Sequence, residues 1–354
     1  MSLSEAHKNH DAFMGRCLEL AKHAEGLTWP NPMVGSVVVF DGKIIGEGYH
    51  LKAGGPHAEV NAINAVANQE LLSRSTLYVN LEPCAHFGKT PPCSLLILQK
   101  KIPRVVIGCV DTFSQVAGKG IKMLKEAGVE VITGILERES RELNRRFFTF
   151  HEQKRPYIIL KWAESQDGFL DIERETMPNS RPTWITNEFA RRAVHLWRSR
   201  EQSILVGSVT ALKDNPSLTV RDWSGSHPLR LVLDRNNKLP DYLSLFSGEA
   251  PTILFCGKDE DDSKHTEKII IPDDASPIPI ILDELWKRSI QSVIVEGGAR
   301  LLRAFIDMDL WDEARVFHGN KWFENGIKAP SIKKTPLYQE NFKDSKLLVY
   351  RNIS

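Results

Sequence analysis

Apolar and polar positions run along the chain with two different periods. Over residues 5–25 the apolar positions recur at helical spacing, which places Phe13, Cys17, Leu20 and Ala24 on one face and predicts an amphipathic helix. Trp29-Pro-Asn-Pro32 breaks that pattern into a loop. Val34 to Phe40 predicts a strand, Asp41-Gly42 its hairpin turn, and Lys43 to Gly48 the return strand. Further on, the pattern predicts a helix over His57 to Gln69, a strand over Thr76 to Leu81, and a helix from Cys93 to Gln99. A strand over Arg104 to Val110, a helix over Ile121 to Ala127 and a short strand over Glu130 to Thr133 complete this half. Strands alternating with helices predict a layered α/β domain.

The segment Glu137 to Glu152 is charged and reads as one helix. His151-Glu-Gln-Lys-Arg-Pro156 is a polar break, and a new apolar strand starts at Tyr157-Ile-Ile-Leu-Lys161. These features divide the chain into residues 1–152 and residues 153–354. The second part alternates again, with strands expected over Ser203 to Val206, Leu229 to Leu233, Thr252 to Cys256 and Ser292 to Val295. Gly257 to Lys268 is strongly hydrophilic and reads as an exposed loop.

Composition narrows the field. The 354 residues carry 46 Lys+Arg against 45 Asp+Glu, and 42% are hydrophobic, as in an ordinary globular protein. Two domains fit this length, each able to bury a core without disulfide staples. The charge divides evenly, with 17 basic against 15 acidic residues in 1–150 and 29 against 30 in the remainder, so no broadly basic nucleic-acid-binding half is expected. No apolar stretch approaches membrane-spanning length, and MSLSEAHKNHD lacks the apolar core of a signal peptide. Five cysteines, an odd number, point to reduced thiols and a cytoplasmic setting.

The candidate chemistry begins with His57-Ala58-Glu59, followed by Pro83-Cys84 and Cys93. One imidazole and two thiolates supply three zinc ligands and leave a fourth position open, as a catalytic zinc needs to bind and acidify water. Glu59, two residues after His57, could face the site without being a ligand and carry a proton from water to a leaving amine. His-x-Glu with a later Pro-Cys and Cys is the arrangement of zinc-dependent nucleobase deaminases, although eight residues separate the cysteines here where the common motif has two. Cys17 and Cys109 are formal candidates for a fourth ligand, but their apolar helix face and apolar strand predict core packing instead.

Longer strings extend the pattern. Pro30-Asn-Pro-Met-Val-Gly35, the His-Ala-Glu triplet, Leu81-Glu-Pro-Cys-Ala-His-Phe-Gly-Lys-Thr-Pro-Pro-Cys93 and Val116-Ala-Gly-Lys-Gly120 resemble the bifunctional riboflavin-biosynthesis deaminase/reductase family. Leu160-Lys161, Ser165-Gln-Asp-Gly168, Trp184-Ile-Thr186, Asp214-Asn-Pro-Ser-Leu-Thr-Val-Arg221 and Val295-Glu-Gly-Gly298 continue the resemblance to about residue 305. It implies a cytidine-deaminase-like three-layer α/β/α domain followed by a dihydrofolate-reductase-like α/β domain. It also implies hydrolytic removal of the 2-amino group from a diaminopyrimidinone ribosylamino phosphate, then NADPH reduction of the ribosyl group to ribityl, by a cytoplasmic homo-oligomer that binds neither nucleic acid nor membrane.

Residue by residue, the resemblance implies Zn2+ on His57, Cys84 and Cys93, with Glu59 and Lys161 as the catalytic groups. Substrate contacts carry over to Asn31, His50, Lys89, Asp111, Arg198, Leu218, Arg221 and Glu296. NADPH contacts carry over to Ala163, Ser165, Trp184, Thr210, Asp214 and Gly298. The arginines suit phosphate because the planar guanidinium can bind it in bidentate fashion. Glu296-Gly-Gly298 reads as a phosphate turn after a strand, and no G-x-G-x-x-G fingerprint accompanies it. Three departures stand out. Phe113 replaces a substrate-contacting Asn, Pro182 replaces a Ser, and Val316 to Phe323 replaces the usual Ala-Pro-Lys-Leu-x-Gly string. Two other readings share the zinc site: a tRNA-type nucleobase deaminase, which requires a basic groove, and a deaminase or binding protein whose second domain does not catalyse.

Overall fold

The computed structural model describes residues 3–352 apart from 86, 88–90, 113–116, 174–182 and 259–265, with side chains described from residue 10. The chain forms two compact units, Met1–Lys154 and Arg155–Ser354.

The first unit opens with α1 (Leu3–Lys22), then a hairpin of β1 (Gly35–Phe40) and β2 (Lys43–Tyr49), α2 (Ala58–Asn64) and β3 (Thr76–Leu81). It continues through α3 (Cys93–Gln99), β4 (Arg104–Cys109), α4 (Lys119–Glu126), β5 (Glu130–Thr133), α5 (Glu137–Leu143) and α6 (Arg145–Gln153). The sheet order is β2-β1-β3-β4-β5, antiparallel up to β3 and parallel beyond it. Side chains alternate across the sheet, and the two faces fill two cores. Val37, Val39, Tyr78 and Val106 pack with Met14, Cys17 and Leu20 of α1. Val38, Leu77, Val79, Val105 and Ile107 pack with Ala62, Ile63, Ile97 and Leu124 of α2, α3 and α4. The result is a three-layer α/β/α unit in which Cys17 and Cys109 are buried.

Two expected helices are shorter than their patterns. The helix expected over His57 to Gln69 ends at Asn64, because the Gln69 side chain donates to the Ile63 and Val66 carbonyls and a 3-10 turn, Gln69–Arg74, follows. The single helix expected over Glu137 to Glu152 is two. It breaks at Asn144, whose carboxamide binds both the N–H and the C=O of Met33.

The second unit contains β6 (Tyr157–Glu164), β7 (Phe169–Asp171), α7 (Glu188–Arg200), β8 (Ser203–Gly207), α8 (Ser208–Asp214), β9 (Leu229–Asp234), β10 (Thr252–Cys256) and β11 (Glu267–Ile270). It ends with α9 (Pro277–Lys287), β12 (Ser292–Glu296), α10 (Ala299–Asp307), β13 (Glu313–His318), β14 (Ile327–Lys328), β15 (Tyr338–Phe342) and β16 (Ser345–Arg351). The main sheet runs β11-β10-β9-β8-β12-β6-β13-β16-β15. It is parallel from β11 to β13, with two antiparallel strands at its end, and β7 pairs with β14 apart from it. One face buries Ile158, Leu160, Val293 and Val295 against Ile281, Leu285, Leu302 and Phe305 of α9 and α10. The other buries Ile159, Ile204, Val206 and Ile294 with Ala211 of α8 and with Leu243 and Leu245. Lys268 belongs to β11, so the exposed loop expected over Gly257 to Lys268 is shorter than its hydrophilic pattern. Parallel pairing with β10 supplies hydrogen bonds that composition does not reveal.

Candidate functional site

In the first unit His57 immediately precedes α2, Glu59 lies in its first turn, and Cys93 opens α3. Both helices lie against the same face of the sheet, so residues 36 positions apart meet. His57 Nδ1 is 3.3 Å from Cys93 Sγ and 3.6 Å from Cys84 Sγ, and all three donor atoms lie within 4.8 Å of one another. A tetrahedral zinc with bonds of about 2.0–2.3 Å holds its nitrogen and sulfur ligands about 3.5 Å apart, so the donor set fits zinc in both chemistry and spacing. The Cys93 main-chain N–H donates to Cys84 Sγ at 3.3 Å. The Cys93 thiol foremost, then His57 and the Cys93 N–H, lower the Cys84 pKa despite burial, while the same contact raises that of Cys93, so Cys84 is the thiol favoured to ionise first. Glu59 is almost fully buried, and desolvation raises its carboxyl to about 7 although His57 pulls the other way.

Beside this cluster, Asn31 Nδ2 is 3.1 Å from His50 Nε2, and His50 Nδ1 is 3.0 Å from the Pro56 carbonyl. A carbonyl only accepts, so Nδ1 carries the proton and Nε2 accepts from Asn31. Burial lowers the His50 pKa and keeps the ring neutral in that tautomer. The two rings His50 and His57 stand edge to face, 5.5 Å between centroids. Asn31 and His50 therefore border the three metal donors. Asp111 is buried just beyond β4, with its N–H on Glu82, and Lys89 and Phe113 lie outside the described residues.

The second unit holds a cavity of about 580 Å³ at the C-terminal ends of β6, β8 and β12, a volume typical of small-molecule sites. Lys161, Ala163, Trp184, Arg198, Thr210, Asp214, Leu218, Arg221, Glu296 and Gly298 line it. Ser165 does not. It is fully buried, its hydroxyl donates to Asp167 and accepts from the Phe169 N–H, and it builds the turn after β6. Gly297 and Gly298 adopt φ of +92° and +64°, and a Cβ on Gly297 would come 3.0 Å from the Thr210 side chain. Only glycine fits that turn without strain.

Three of the charged residues that line this cavity form a buried cluster. Arg198 grips Glu296 with two bonds, Nε to Oε1 at 3.2 Å and Nη2 to Oε2 at 2.9 Å, and Nη1 donates to the Thr219 carbonyl. Lys161 Nζ lies 3.6 Å from Glu296 Oε2. Burial alone would raise the Glu296 pKa, but Arg198 and Lys161 outweigh it and hold the carboxyl at about 2. Desolvation lowers the Lys161 pKa, opposed by Glu296. The Arg198 fork is thus engaged by protein groups, whereas Arg221 is exposed at the cavity and donates to Ser217.

Of the three departures, Pro182 lies outside the described residues, as Phe113 does. Val316 to Phe323 begins in β13, with Phe317 lining the cavity. His318 Nδ1 is 3.2 Å from Glu164, and the Phe323 and Glu324 N–H groups donate to Asp167. This string is therefore tied into the same end of β6 by contacts of its own.

Several buried polar residues were missed by the motifs. Asn80 accepts from the Gly35 N–H and donates to the Met33 carbonyl, which fixes the chain leading out of the Pro-Asn-Pro loop. Glu82 accepts main-chain N–H groups from across the site. His195 accepts the Arg221 N–H at the reductase cavity. Asn80 and Glu82 had a readable signal, since each is a polar residue in or just after an otherwise apolar strand.

A His/Cys/Cys metal cluster with a buried carboxylate, on a three-layer domain joined to a parallel-sheet domain with a large cavity, defines a zinc deaminase coupled to a reductase. Residues 7–109 match the cytidine and deoxycytidylate deaminase zinc-binding region, and residues 156–336 match the RibD C-terminal domain. The riboflavin biosynthesis protein RibD of Aquifex aeolicus is 40% identical over 337 residues, covering 93% of this chain and 91% of that protein. The Escherichia coli RibD is 36% identical over 324 residues, 86% of each. A crystal structure of a diaminohydroxyphosphoribosylaminopyrimidine deaminase/5-amino-6-(5-phosphoribosylamino)uracil reductase from Thermotoga maritima superposes with a TM-score of 0.87 at 37% identity, covering 98% of this chain and 99% of that one. The chain belongs to the RibD family of riboflavin biosynthesis proteins. It is a bifunctional enzyme, a zinc-dependent deaminase and an NADPH-dependent reductase.

Proposed function

We propose that the first unit hydrolyses the 2-amino group of 2,5-diamino-6-(5-phosphoribosylamino)pyrimidin-4(3H)-one, and that the second reduces the ribosyl group of the product to ribityl. The observation that carries this reading is the juxtaposition of the His57, Cys84 and Cys93 donor atoms beside the buried Glu59. Those three residues would hold zinc, which would supply Lewis acidity to activate water. Glu59 accepts a proton on its carboxylate and returns it to the departing amine, so that ammonia leaves neutral. Asn31, oriented by its bond to His50, presents its carboxamide oxygen to a ring N–H, while Lys89 and Asp111 complete the substrate contacts.

NADPH, when bound, supplies the hydride for the second step. Ala163, Trp184, Thr210, Asp214 and Gly298, which line the cavity, would hold it, with Ser165 shaping the turn after β6. Lys161 gives a proton to the ribose ring oxygen as C1′ is reduced, and Glu296 keeps that ammonium in place. Arg221 and the Leu218 backbone receive the substrate phosphate. Arg198 acts by orienting Glu296.

Action in the cytoplasm on a small molecule, without nucleic acid or membrane, belongs to the same proposal. It is supported by the five cysteines, none of them in a disulfide, and by the even charge of both halves. Homo-oligomeric assembly is proposed with it and is tested by sedimentation of the purified protein. A coupled assay tests the chemistry. Zinc-loaded protein is given the diaminopyrimidinone ribosylamino phosphate with and without NADPH, and ammonia and reduced-nicotinamide absorbance are followed. Ammonia release together with NADPH consumption is expected. Ammonia without NADPH loss would restrict the protein to deamination, and neither would refute the proposal.

A further inference from the structure

The Glu82 carboxylate is 4% exposed and faces main-chain donors from two segments that are remote in sequence. Oε2 accepts from the Gly118 N–H at 2.9 Å and the Asp111 N–H at 3.3 Å. Oε1 accepts from the Gly120 N–H at 2.9 Å and the Ile121 N–H at 3.2 Å. Three of these four donors belong to the start of α4, where free N–H groups and the helix dipole favour an anion. An internal carboxylate fills that place. The local sequence is built to admit it. Gly118 turns the chain with φ of +76°, and a Cβ on Gly120 would lie 2.0 Å from the Pro83 carbonyl. Glu82 is followed directly by Pro83 and by the metal ligand Cys84.

From this geometry we infer that Glu82 is a positioning residue for deamination: it fixes the Asp111 backbone and the start of α4 relative to the Cys84 arm of the metal centre. The inference rests on the proposed role of the first unit, because Asp111 matters there as a substrate contact. Glu82 itself touches no reacting atom. Its carboxylate binds the residue just beyond β4 and the N-terminus of α4 at once, two residues from a zinc ligand. A neutral amide in its place presents N–H where two N–H groups already point, so one side of the cradle opens.

The test compares full-length Glu82→Gln, Glu82→Asp and Gly118→Ala with the parent protein. Zinc per chain, deaminase KM and kcat, reductase kcat/KM and hydrogen exchange at residues 111 and 118–121 are measured. In Glu82→Gln the pyrimidine KM rises about tenfold, the loss of roughly one charge-assisted hydrogen bond. The kcat falls less, zinc stays at one per chain, and exchange accelerates at the cradle amides. Glu82→Asp, which keeps the charge but shortens the reach, recovers part of the KM. Gly118→Ala meets no atom within 4 Å but strains a left-handed residue, so it gives the same KM shift in milder form and serves if Glu82→Gln does not fold. Two outcomes overturn the inference. One is parent-like KM with faster cradle exchange. The other is loss of zinc in proportion to activity, with parent KM in the loaded fraction, which would make Glu82 a brace for the metal alone. An unchanged reductase kcat/KM shows that the rest of the chain is intact. Failure of the parent to deaminate at all would instead strike the proposed function.

Discussion

The two halves of this enzyme reach their chemistry by opposite routes. In the first unit the functional atoms sit at element boundaries, at the start of α2 and the start of α3, and a compact cluster of three donors needs only an ion to complete it. In the second unit the functional groups are drawn from β6, α7 and β12, and they satisfy one another before any ligand arrives. Arg198, Glu296 and Lys161 form a buried ionic cluster whose stability depends on all three members. A metal site can be written in a few short strings. A preformed ionic site must be assembled by the whole sheet.

Removing a ligand breaks this comparison most severely. Cys84→Ser is expected to lose zinc and to depress ammonia release by about a thousandfold or more, while NADPH consumption with deaminated substrate stays within about twofold. Metal analysis beside both assays checks it, and a parallel fall in reduction would show that the halves are not chemically independent. Next in size, Glu59→Ala should retain zinc and lose deamination by about a hundred- to ten-thousandfold, the range of a general acid–base group. Loss of metal in that variant would instead make Glu59 structural. Lys161→Ala should spare deamination and lower reductase kcat by about a hundredfold, read as single-turnover NADPH oxidation. The smallest effect is expected from Arg221→Ala. Its reductase KM should rise about tenfold with kcat little changed, as for a group that binds the substrate phosphate equally throughout the reaction. A fall in kcat with unchanged KM would move Arg221 into the chemistry.

How much of this was legible in sequence follows the same division. His57, Glu59, Cys84 and Cys93 could be read because each residue type is chemically distinctive and each sits in a short string. The strand order within each sheet could not, since pairing joins segments far apart, as β6 to β12 and β13. The break between α5 and α6 was invisible because its cause is Met33, more than a hundred positions away. Asn80 and Glu82 stood out as polar residues in or just after an apolar strand, but their partners could not be read, since these are main-chain atoms of remote segments. The resemblance implied that Arg198 contacts the substrate phosphate, and the fold adds what no motif could show, that its fork also binds Glu296. Strand β15 escaped notice because it is mostly exposed and carries no apolar alternation.

Lys161 and Glu296 are direct register partners on the neighbouring parallel strands β6 and β12. Because side chains alternate faces, a single-residue insertion in either strand would turn one partner toward α9 and α10 and leave the other behind. Length changes before Tyr157 or between Gly257 and Glu267 carry no such penalty, since they leave that pairing untouched. The reductase site should therefore withstand grafting, tagging and loop exchange at those connections, yet be lost through one inserted codon within either five-residue stretch, Tyr157–Lys161 or Ser292–Glu296.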